Sequence, residues 1–335
     1  MHDGACGGLL WRPGFVSAAI AMPKLTDQIS RQISQPASPA IHALADWLLD
    51  TYGEAVQAIL FYGSCLRTGD DRGGLVDLYV LVDRYRAAFS KSILAVLNKL
   101  LPPNVFYLEI PYADRRVRAK YAVLSMDDFR CGTSKRWFHS YIWGRFAQPI
   151  GLLYSCNDQT AQHIQAALAQ AVLTFVERVL PRMPSPFTAR DLWRMGLEMS
   201  YRAELRAEQP HKLIRLFEAT PDYYEQITRQ ALSTLSLPMD IRESDRPYRY
   251  SVHISDRVRR ANRLDWIVRT WQGKMLSVLR LLKGTLTFRG GIDYIMWKIE
   301  RHSGMRVEAS PRLRQYPLLA ACVILWKLYR RGAYR

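Results

Sequence analysis

A glycine–serine pair and a lone carboxylate stand beside two apolar segments in the first third of the chain. The triplet Tyr62-Gly63-Ser64 ends an apolar run, and Asp77 interrupts the next apolar run. The glycine lets backbone approach a ligand closely, and the serine adds a hydroxyl and an N–H where a helix begins. A carboxylate inside an apolar run is costly to bury unless a cation or hydrogen-bond donors meet it. These residue types predict a site for a metal ion and a phosphate chain.

The spacing predicts the elements that position these residues. Ala58–Asp83 is typical of a strand, a Gly-Ser turn opening a short helix, a polar loop and a second strand. Ser38 caps a predicted helix with Pro39 in its first turn. A further helix is expected over Tyr85–Leu101 and ends at Pro102-Pro103. Two more strands are expected over 105–110 and 120–125. The helices expected after them cover 159–179, 189–208, 222–235, 256–282, 292–302 and 317–331, and the joints are expected at Pro184-Ser185-Pro186 and Pro238–Pro247.

These elements predict an α+β or α/β fold with two domains. Gly-Ser at one strand end with an acid on the next strand is a nucleotidyltransferase signature. We therefore expect a nucleotidyltransferase-type small mixed sheet with helices over 38–157, followed by a mainly helical domain over 158–335. Residues 1–37 lack a credible secretory segment, so we expect a disordered N-terminus, with translation starting at Met1 or Met22.

Charge is distributed unevenly along the chain. The net charge is +17, but residues 1–100 balance nine basic against nine acidic side chains, whereas residues 241–335 hold 21 against 7. This surplus indicates an anionic partner, for which both RNA and anionic lipid qualify. Five scattered cysteines and seven histidines form no zinc spacing, which favours reduced thiols and excludes a zinc-finger framework.

The C-terminal end carries a short apolar run followed by cations. Leu318–Trp326 is nine apolar residues long, and a spanning helix needs about 20. It either lies in a membrane interface or packs as a core helix, and both alternatives stay open at this point.

Several further segments carry a family likeness. In order they are YGS over 62–64, VDL over 76–78, KYAVLSMDDF over 120–129, SYIWGRFAQPI over 140–150, SYRAELR over 200–206 and LLKGTLT over 281–287. This series resembles the mitochondrial-type phosphatidate cytidylyltransferases, the translocator-assembly-and-maintenance family that makes CDP-diacylglycerol. The sequence departs from the family pattern at Ala203 and Glu204, where the family has Gly and Asp.

The resemblance implies transfer of CMP from CTP to phosphatidic acid, with Mg²⁺ as cofactor and pyrophosphate as second product, in the synthesis of phospholipids such as cardiolipin and phosphatidylglycerol. Asp77 is the first-choice metal ligand, and Glu204, Asp70 or Asp71 is the second. The wider superfamily presents a D-x-D pair, and its other position here is Leu75. A phosphate acceptor is already ionised near neutral pH, since its second pKa is about 6, so no base must deprotonate it.

The remaining candidate residues would hold the nucleotide. Lys120 and Arg145 are expected on the triphosphate, although ordinary surface charge is the plain alternative for both. The turn Tyr62-Gly63-Ser64 is expected to bind CTP, together with Tyr201 and Arg206 from the SYRAELR segment. Tyr201 and Arg206 are more often core or rim residues.

The expected partners are CTP, phosphatidic acid and an anionic membrane surface, with no nucleic acid and with a homo-oligomer left open. The predicted location is peripheral, on the cytoplasmic face of a bacterial inner membrane or the matrix face of the mitochondrial inner membrane.

Two alternative functions remain. One is a soluble nucleotidyltransferase acting on a hydroxyl of RNA, a drug or a protein, and the other is a catalytically inactive nucleotidyltransferase-like binding module.

Overall fold

A mixed five-stranded sheet carries the predicted site residues. The computed structural model describes residues 22–71, 74–204, 216–235, 239–242 and 248–287. The strands are β1 (Val56–Tyr62), β2 (Val76–Val82), β3 (Asn104–Tyr112), β4 (Arg115–Ser125) and β5 (Gly151–Ser155).

The strand order is β3-β4-β2-β1-β5, and only β2 and β4 run parallel. Both faces of the central strands are buried, because alternate residues point to opposite sides. Leu60 and Tyr79 face one apolar core, whereas Phe61 and Val80 face the other. The result is the small mixed sheet that the sequence predicted.

Helices cover both faces of this sheet. The described helices are α1 (Met22–Ile33), α2 (Pro39–Tyr52), α3 (Ser64–Thr68), α4 (Tyr85–Ala88), α5 (Ser92–Leu100), α6 (Met126–Thr133), α7 (Trp143–Phe146), α8 (Asp158–Val179), α9 (Ala189–Arg202), α10 (Pro221–Thr234) and α11 (Asp256–Thr287). Helices α2 and α5 lie on one face, while α1 and α6 to α10 pack on the other. The core on this second face runs from the sheet into α8 and α9 without a break, and the domain boundary at 157/158 stays a prediction.

The cap at Ser38 is confirmed, and it also anchors a distant loop. The Ser38 hydroxyl accepts from the N–H of Ile41 at 3.3 Å and donates to the carboxylate of Asp71. Arg115 donates to the same carboxylate at 2.8 Å. Burial opposes the charged carboxylate, but these two donors outweigh it and lower the pKa of Asp71. Asp71 therefore has a structural role, tying the start of α2 to the β3–β4 turn.

Several predicted elements need correction. The expected disorder over 1–37 does not hold for Met22–Ile33, which forms α1 because Leu25, Ile29 and Ile33 are buried in the core. The single helix over Tyr85–Leu101 is two helices, since Phe89 takes an extended conformation and buries its ring.

Three short strands were not predicted. They are β5 and the hairpin of β6 (Met239–Arg242) and β7 (Arg249–Val252). Strand β6 falls within the joint predicted over Pro238–Pro247, and β7 follows that joint. The end of the predicted helix over 189–208 and all of those over 292–302 and 317–331 lie outside the described residues.

Helix α11 is held against the rest of the chain by cations that meet backbone carbonyls. Arg269 donates to the Phe138 carbonyl at 2.7 Å, and Arg280 donates to that of Pro102 at 3.0 Å. Lys283 donates to the carbonyl of Pro103 at 2.8 Å and also to that of Leu101. The bonds of Arg280 and Lys283 connect α11 to the entry of β3, and the bond of Arg269 connects it to the segment between α6 and α7.

Lys283 gives a pH-dependent readout of this attachment. Burial, and to a lesser extent the charge of Arg280, lower the pKa of Lys283 to about 7. An unfolded lysine titrates near 10.4, so between about pH 7 and pH 9 the unfolded chain binds a proton that the folded chain lacks. The free energy of unfolding should therefore rise with pH across this window.

We expect Lys283→Met to flatten that rise in urea-unfolding experiments at stepped pH. The control is Lys274→Met, which changes an exposed lysine of the same helix and should leave the slope as in the wild type. An unchanged slope in Lys283→Met would contradict the assignment.

Candidate active site

The turn after β1 needs glycine for two reasons. Gly63 has φ of +89°, a conformation that side chains with a Cβ rarely adopt. A Cβ built on Gly63 would lie 2.5 Å from Oδ2 of Asp77. The turn therefore brings bare backbone against the carboxylate. Helix α3 begins at Ser64, as expected from the Gly-Ser turn, and Ser64 is exposed.

A row of polar side chains crosses four strands beside this turn. Asp77 on β2 is the cross-strand partner of Tyr62 on β1 and of Lys120 on β4. Lys120 is in turn paired with Tyr107 on β3. Direct cross-strand partners place their side chains on the same face, only about 5 Å apart at Cβ. The structure thus brings Tyr62, Asp77 and Lys120 together, all half-buried.

Arg145 reaches this row from α7. Its Nη1 donates to the Tyr62 hydroxyl at 3.1 Å, and its guanidinium carbon lies 5.3 Å from the centre of the Tyr62 ring. Nη2 lies 3.8 Å from Oε2 of Glu204, and both of these side chains are about nine-tenths buried, with exposures of 12% and 11%. Arg145 and Glu204, predicted from separate segments, are therefore neighbours.

The ionisation states around Arg145 follow from burial and neighbouring charge. Burial raises the pKa of the Tyr62 hydroxyl far above its ordinary value, so this residue stays a neutral phenol. Burial also opposes the charge of Arg145, but the surrounding tyrosines and Glu204 outweigh it and raise the pKa of the guanidinium. Arg145 is a permanent cation beside a hydroxyl that keeps its proton.

A second guanidinium joins from α11. The carbon of the Arg280 guanidinium lies 4.0 Å from the centre of the Tyr141 ring, and that of Arg145 lies 5.1 Å from the same centre. Two cations thus share one aromatic ring, with Glu204 as the carboxylate ion-paired to Arg145. Such an arrangement favours an anion, because like charges in a partly buried site repel each other until a counter-charge enters.

Sequence reasoning missed Tyr107, Tyr141 and Arg280. Arg280 directly precedes the LLKGTLT segment, and Tyr107 alternates with the buried residues of its strand, so both had a signal in the sequence. Tyr141 lies within the SYIWGRFAQPI segment, but its ring gave no separate indication of a role. Tyr201 is half-buried at the end of α9, and Arg206 lies outside the described residues.

The described residues contain no group of three or more His, Cys, Asp or Glu side chains that could hold a metal ion. Asp71, one of the alternatives for a second ligand, is engaged by Ser38 and Arg115. A lone protein carboxylate still fits Mg²⁺, which is commonly bound by one or two carboxylates together with substrate phosphates and waters. Asp77 beside the bare Gly63 is such a carboxylate.

A strand, a Gly-Ser turn and an acid on the neighbouring strand, flanked by cations, define a nucleotidyltransferase. The family model for the mitochondrial phosphatidate cytidylyltransferase matches residues 81–269, more than half of the chain. The chain belongs to the mitochondrial phosphatidate cytidylyltransferase family, and is thus an enzyme that makes CDP-diacylglycerol from CTP and phosphatidic acid. No curated protein matches the chain in a direct comparison.

The matched segment contains Lys120, Arg145, Tyr201, Glu204 and Arg206, whereas Ser64 and Asp77 precede it. Ser64 and Asp77 are therefore placed by the geometry alone, whereas the later residues also lie inside the segment that the family model matches.

The contact between Gly63 and Asp77 gives a sharp test of the site. We expect Gly63→Ala to lower the rate of CDP-diacylglycerol formation at least about a hundredfold, since the added methyl displaces the Asp77 carboxylate. The measurement is formation of radiolabelled product from labelled CTP.

The matched control is Gly69→Ala, at the other end of α3. Gly69 also has positive φ, +67°, but nothing lies within 4 Å of its added Cβ. This variant should lose about 1 kcal/mol of stability to backbone strain and keep its activity. Equal activities of the two variants would contradict the placement of Asp77 in the site.

Proposed function

We propose that the row formed by Tyr62, Asp77 and Lys120, together with Arg145, is the site at which the CTP triphosphate is held during cytidylyl transfer. The observation that carries this proposal is the register of β2 and β4, which makes Asp77 and Lys120 direct cross-strand partners. A carboxylate and an ammonium group then face one space beside the Gly63 turn.

In cytidylyl transfer the protein has two main tasks, to neutralise phosphate charge and to position the reacting groups. An oxygen of the phosphatidate phosphate attacks the α-phosphorus of CTP, the bond from that phosphorus to the bridging oxygen of the β-phosphate breaks, and pyrophosphate leaves. The attacking phosphate is already ionised, because its second pKa is about 6. The absence of a second carboxylate at Leu75 therefore suits this acceptor better than a hydroxyl, which would need a base.

Each residue of the site then has a role. Asp77 would hold Mg²⁺ jointly with the triphosphate, and the metal would supply neutralisation of phosphate charge. Lys120 and Arg145 would bind the phosphates that become pyrophosphate, where negative charge grows in the transition state. The Tyr62 hydroxyl can donate to a phosphate oxygen, while Gly63 and Ser64 bring backbone close to it.

Residues from the end of α9 onward complete the proposed nucleotide site. Glu204 is placed to orient Arg145, with which it forms an ion pair, and remains our candidate for a second metal ligand. Tyr201 and Arg206 are assigned to nucleotide binding on the family likeness of their segment.

We further propose that the enzyme works as a peripheral protein on an anionic membrane, in the pathway to phosphatidylglycerol and cardiolipin. None of the helices in the described ranges is long and apolar enough to cross a bilayer. The basic surplus in residues 241–335 supports attraction to anionic headgroups. The proposal leaves open whether the membrane is a bacterial or a mitochondrial inner membrane, and whether the enzyme forms a homo-oligomer. It includes no nucleic acid as a partner.

We expect Asp77→Asn to lower CDP-diacylglycerol formation at least about a hundredfold, because an uncharged amide is a poor Mg²⁺ ligand. The melting temperature should change by only a few degrees. Asp83→Asn is the control and should remain active, because Asp83 directly follows the far end of β2 and is half-exposed.

A readout independent of turnover is Mn²⁺ binding in the presence of CTP, followed by electron paramagnetic resonance. Loss of this binding in Asp77→Asn alone supports the metal role. Wild-type turnover in Asp77→Asn would remove Asp77 from the site.

The phosphate contacts predict a different kinetic pattern. Lys120→Ala and Arg145→Ala should lower kcat more than they raise KM for CTP, because they act where charge develops during transfer. Ser64→Ala should chiefly raise KM. Arg84→Ala, an exposed arginine beyond β2, is the control, and wild-type constants in all three site variants would show that the site is placed wrongly.

A further inference from the structure

Helix α11 presents a continuous apolar stripe to solvent. Leu264, Val268, Trp271, Met275, Val278 and Leu282 follow one another at intervals of four, three, four, three and four residues, which places them on one helix face. Ile267 and Leu279 lie beside them, and all eight side chains are between 43% and 77% exposed. At 1.5 Å per residue the stripe is about 27 Å long.

The opposite side of the same helix is firmly attached to the protein. Trp266, Arg269 and Lys283 are buried there, and the two cations donate to backbone carbonyls of Phe138, Leu101 and Pro103. The exposed stripe therefore belongs to a well-anchored helix. Exposed apolar surface of this extent on an anchored element marks an interaction site.

A second, shorter stripe ends beside the first. Ile93, Val96 and Leu100 on α5 repeat at three and four residues and are between 48% and 75% exposed. Directly after Leu100, the backbone carbonyls of Leu101 and Pro103 accept hydrogen bonds from Lys283 of α11. The end of α5 and the Lys283 turn of α11 are therefore linked through these carbonyls.

Positive charge accompanies this surface. Arg257, Arg260 and Arg263 are exposed on the first two turns of α11, and Lys274 is exposed at the edge of the stripe. A row of large apolar side chains with cations at one end and along one edge matches the boundary of an anionic bilayer, where acyl chains meet charged headgroups. A tryptophan at the centre of the stripe suits the same boundary.

We propose that the stripes of α11 and α5 dock the enzyme onto the surface of an anionic bilayer, with α11 lying in the plane of the interface. This rests on the proposed function, in which the acceptor is a membrane lipid. It assigns to α11 the contact with the membrane, and it names the apolar residues that enter the interface.

The docking has a consequence for the active site. The buried side of α11 carries Arg280, which contacts Tyr141 beside Arg145. A helix with its side chains is about 10 Å across. Arg145 and Arg280 would therefore lie about one helix diameter from the membrane surface. The phosphate of a bound phosphatidate would have to move out of the headgroup layer by only that distance to reach them.

The test uses the full-length protein with Trp271→Ser/Met275→Ser, and Trp47→Ser as the control. Trp47 is 40% exposed on α2, which lies outside both stripes. We expect the double variant to bind vesicles of phosphatidylcholine with phosphatidic acid at least about tenfold more weakly. The reason is that burying one large apolar side chain in the bilayer raises the binding constant by about a factor of ten or more. Its turnover of vesicle phosphatidate should fall in parallel, while turnover of monomeric short-chain phosphatidate stays at the wild-type level.

The charges give a second, independent variant. Arg260→Glu/Arg263→Glu should weaken flotation on anionic vesicles and reduce its salt dependence, because attraction to headgroups is screened within about 10 Å at 0.1 M salt. Binding to pure phosphatidylcholine vesicles should not change.

Other outcomes would overturn the proposal. Wild-type vesicle binding by the double variant would exclude the stripe as the docking surface. A large drop in melting temperature would show that another part of the chain covers the stripe, and dissociation of a dimer in sedimentation would show that a second copy does. If the wild type turns over neither form of phosphatidate and the double variant still loses vesicle binding, the docking surface stands and the proposed function fails.

Discussion

The register of the central strands is the constraint on which the site depends. Strands β1, β2 and β4 are buried on both faces, so each residue must face the core that matches its chemistry. A slip of one residue would turn every side chain to the opposite face, burying Asp77 and Lys120 among apolar groups. The free energy gained by burying the sheet therefore fixes the relative positions of Tyr62, Asp77 and Lys120 on the neighbouring strands β1, β2 and β4. The geometry of the proposed site follows from core packing.

Buried positive charge is the second organising feature. Arg269 is fully buried, and its guanidinium carbon lies 4.5 Å from the centre of the Phe138 ring and 4.6 Å from that of Trp266. Burial lowers its pKa to about 9. The aromatic faces and the Phe138 carbonyl offset part of the cost of taking this cation out of water. Cations of α11 are thus held by aromatic rings and backbone carbonyls close to the residues proposed to bind phosphate.

The sequence was sufficient where one strong local pattern controlled the outcome. The strand, the turn at Gly63, the second strand with Asp77 and the cap at Ser38 all follow from short-range preferences, and each is present. Helix α1 was missed because its stability comes from three buried residues that meet a core formed by distant segments.

Tertiary pairing explains the other misses. Strand β7 is only four residues long, and it is held by Tyr250, whose backbone pairs with that of Phe187. Arg280 was missed for a similar reason, since its closeness to Tyr141 arises from a long helix folding back over the sheet. Composition and periodicity describe segments, whereas these contacts depend on how the segments meet.

The tie between Ser38, Asp71 and Arg115 has a consequence for how this chain can change over generations. Three positions far apart in the sequence share one buried carboxylate. Losing the arginine alone leaves an uncompensated charge, which costs far more than exchanging the whole group for well-packed apolar residues. Substitutions at these positions are therefore epistatic: each is harmful singly, and they become tolerable only in combination.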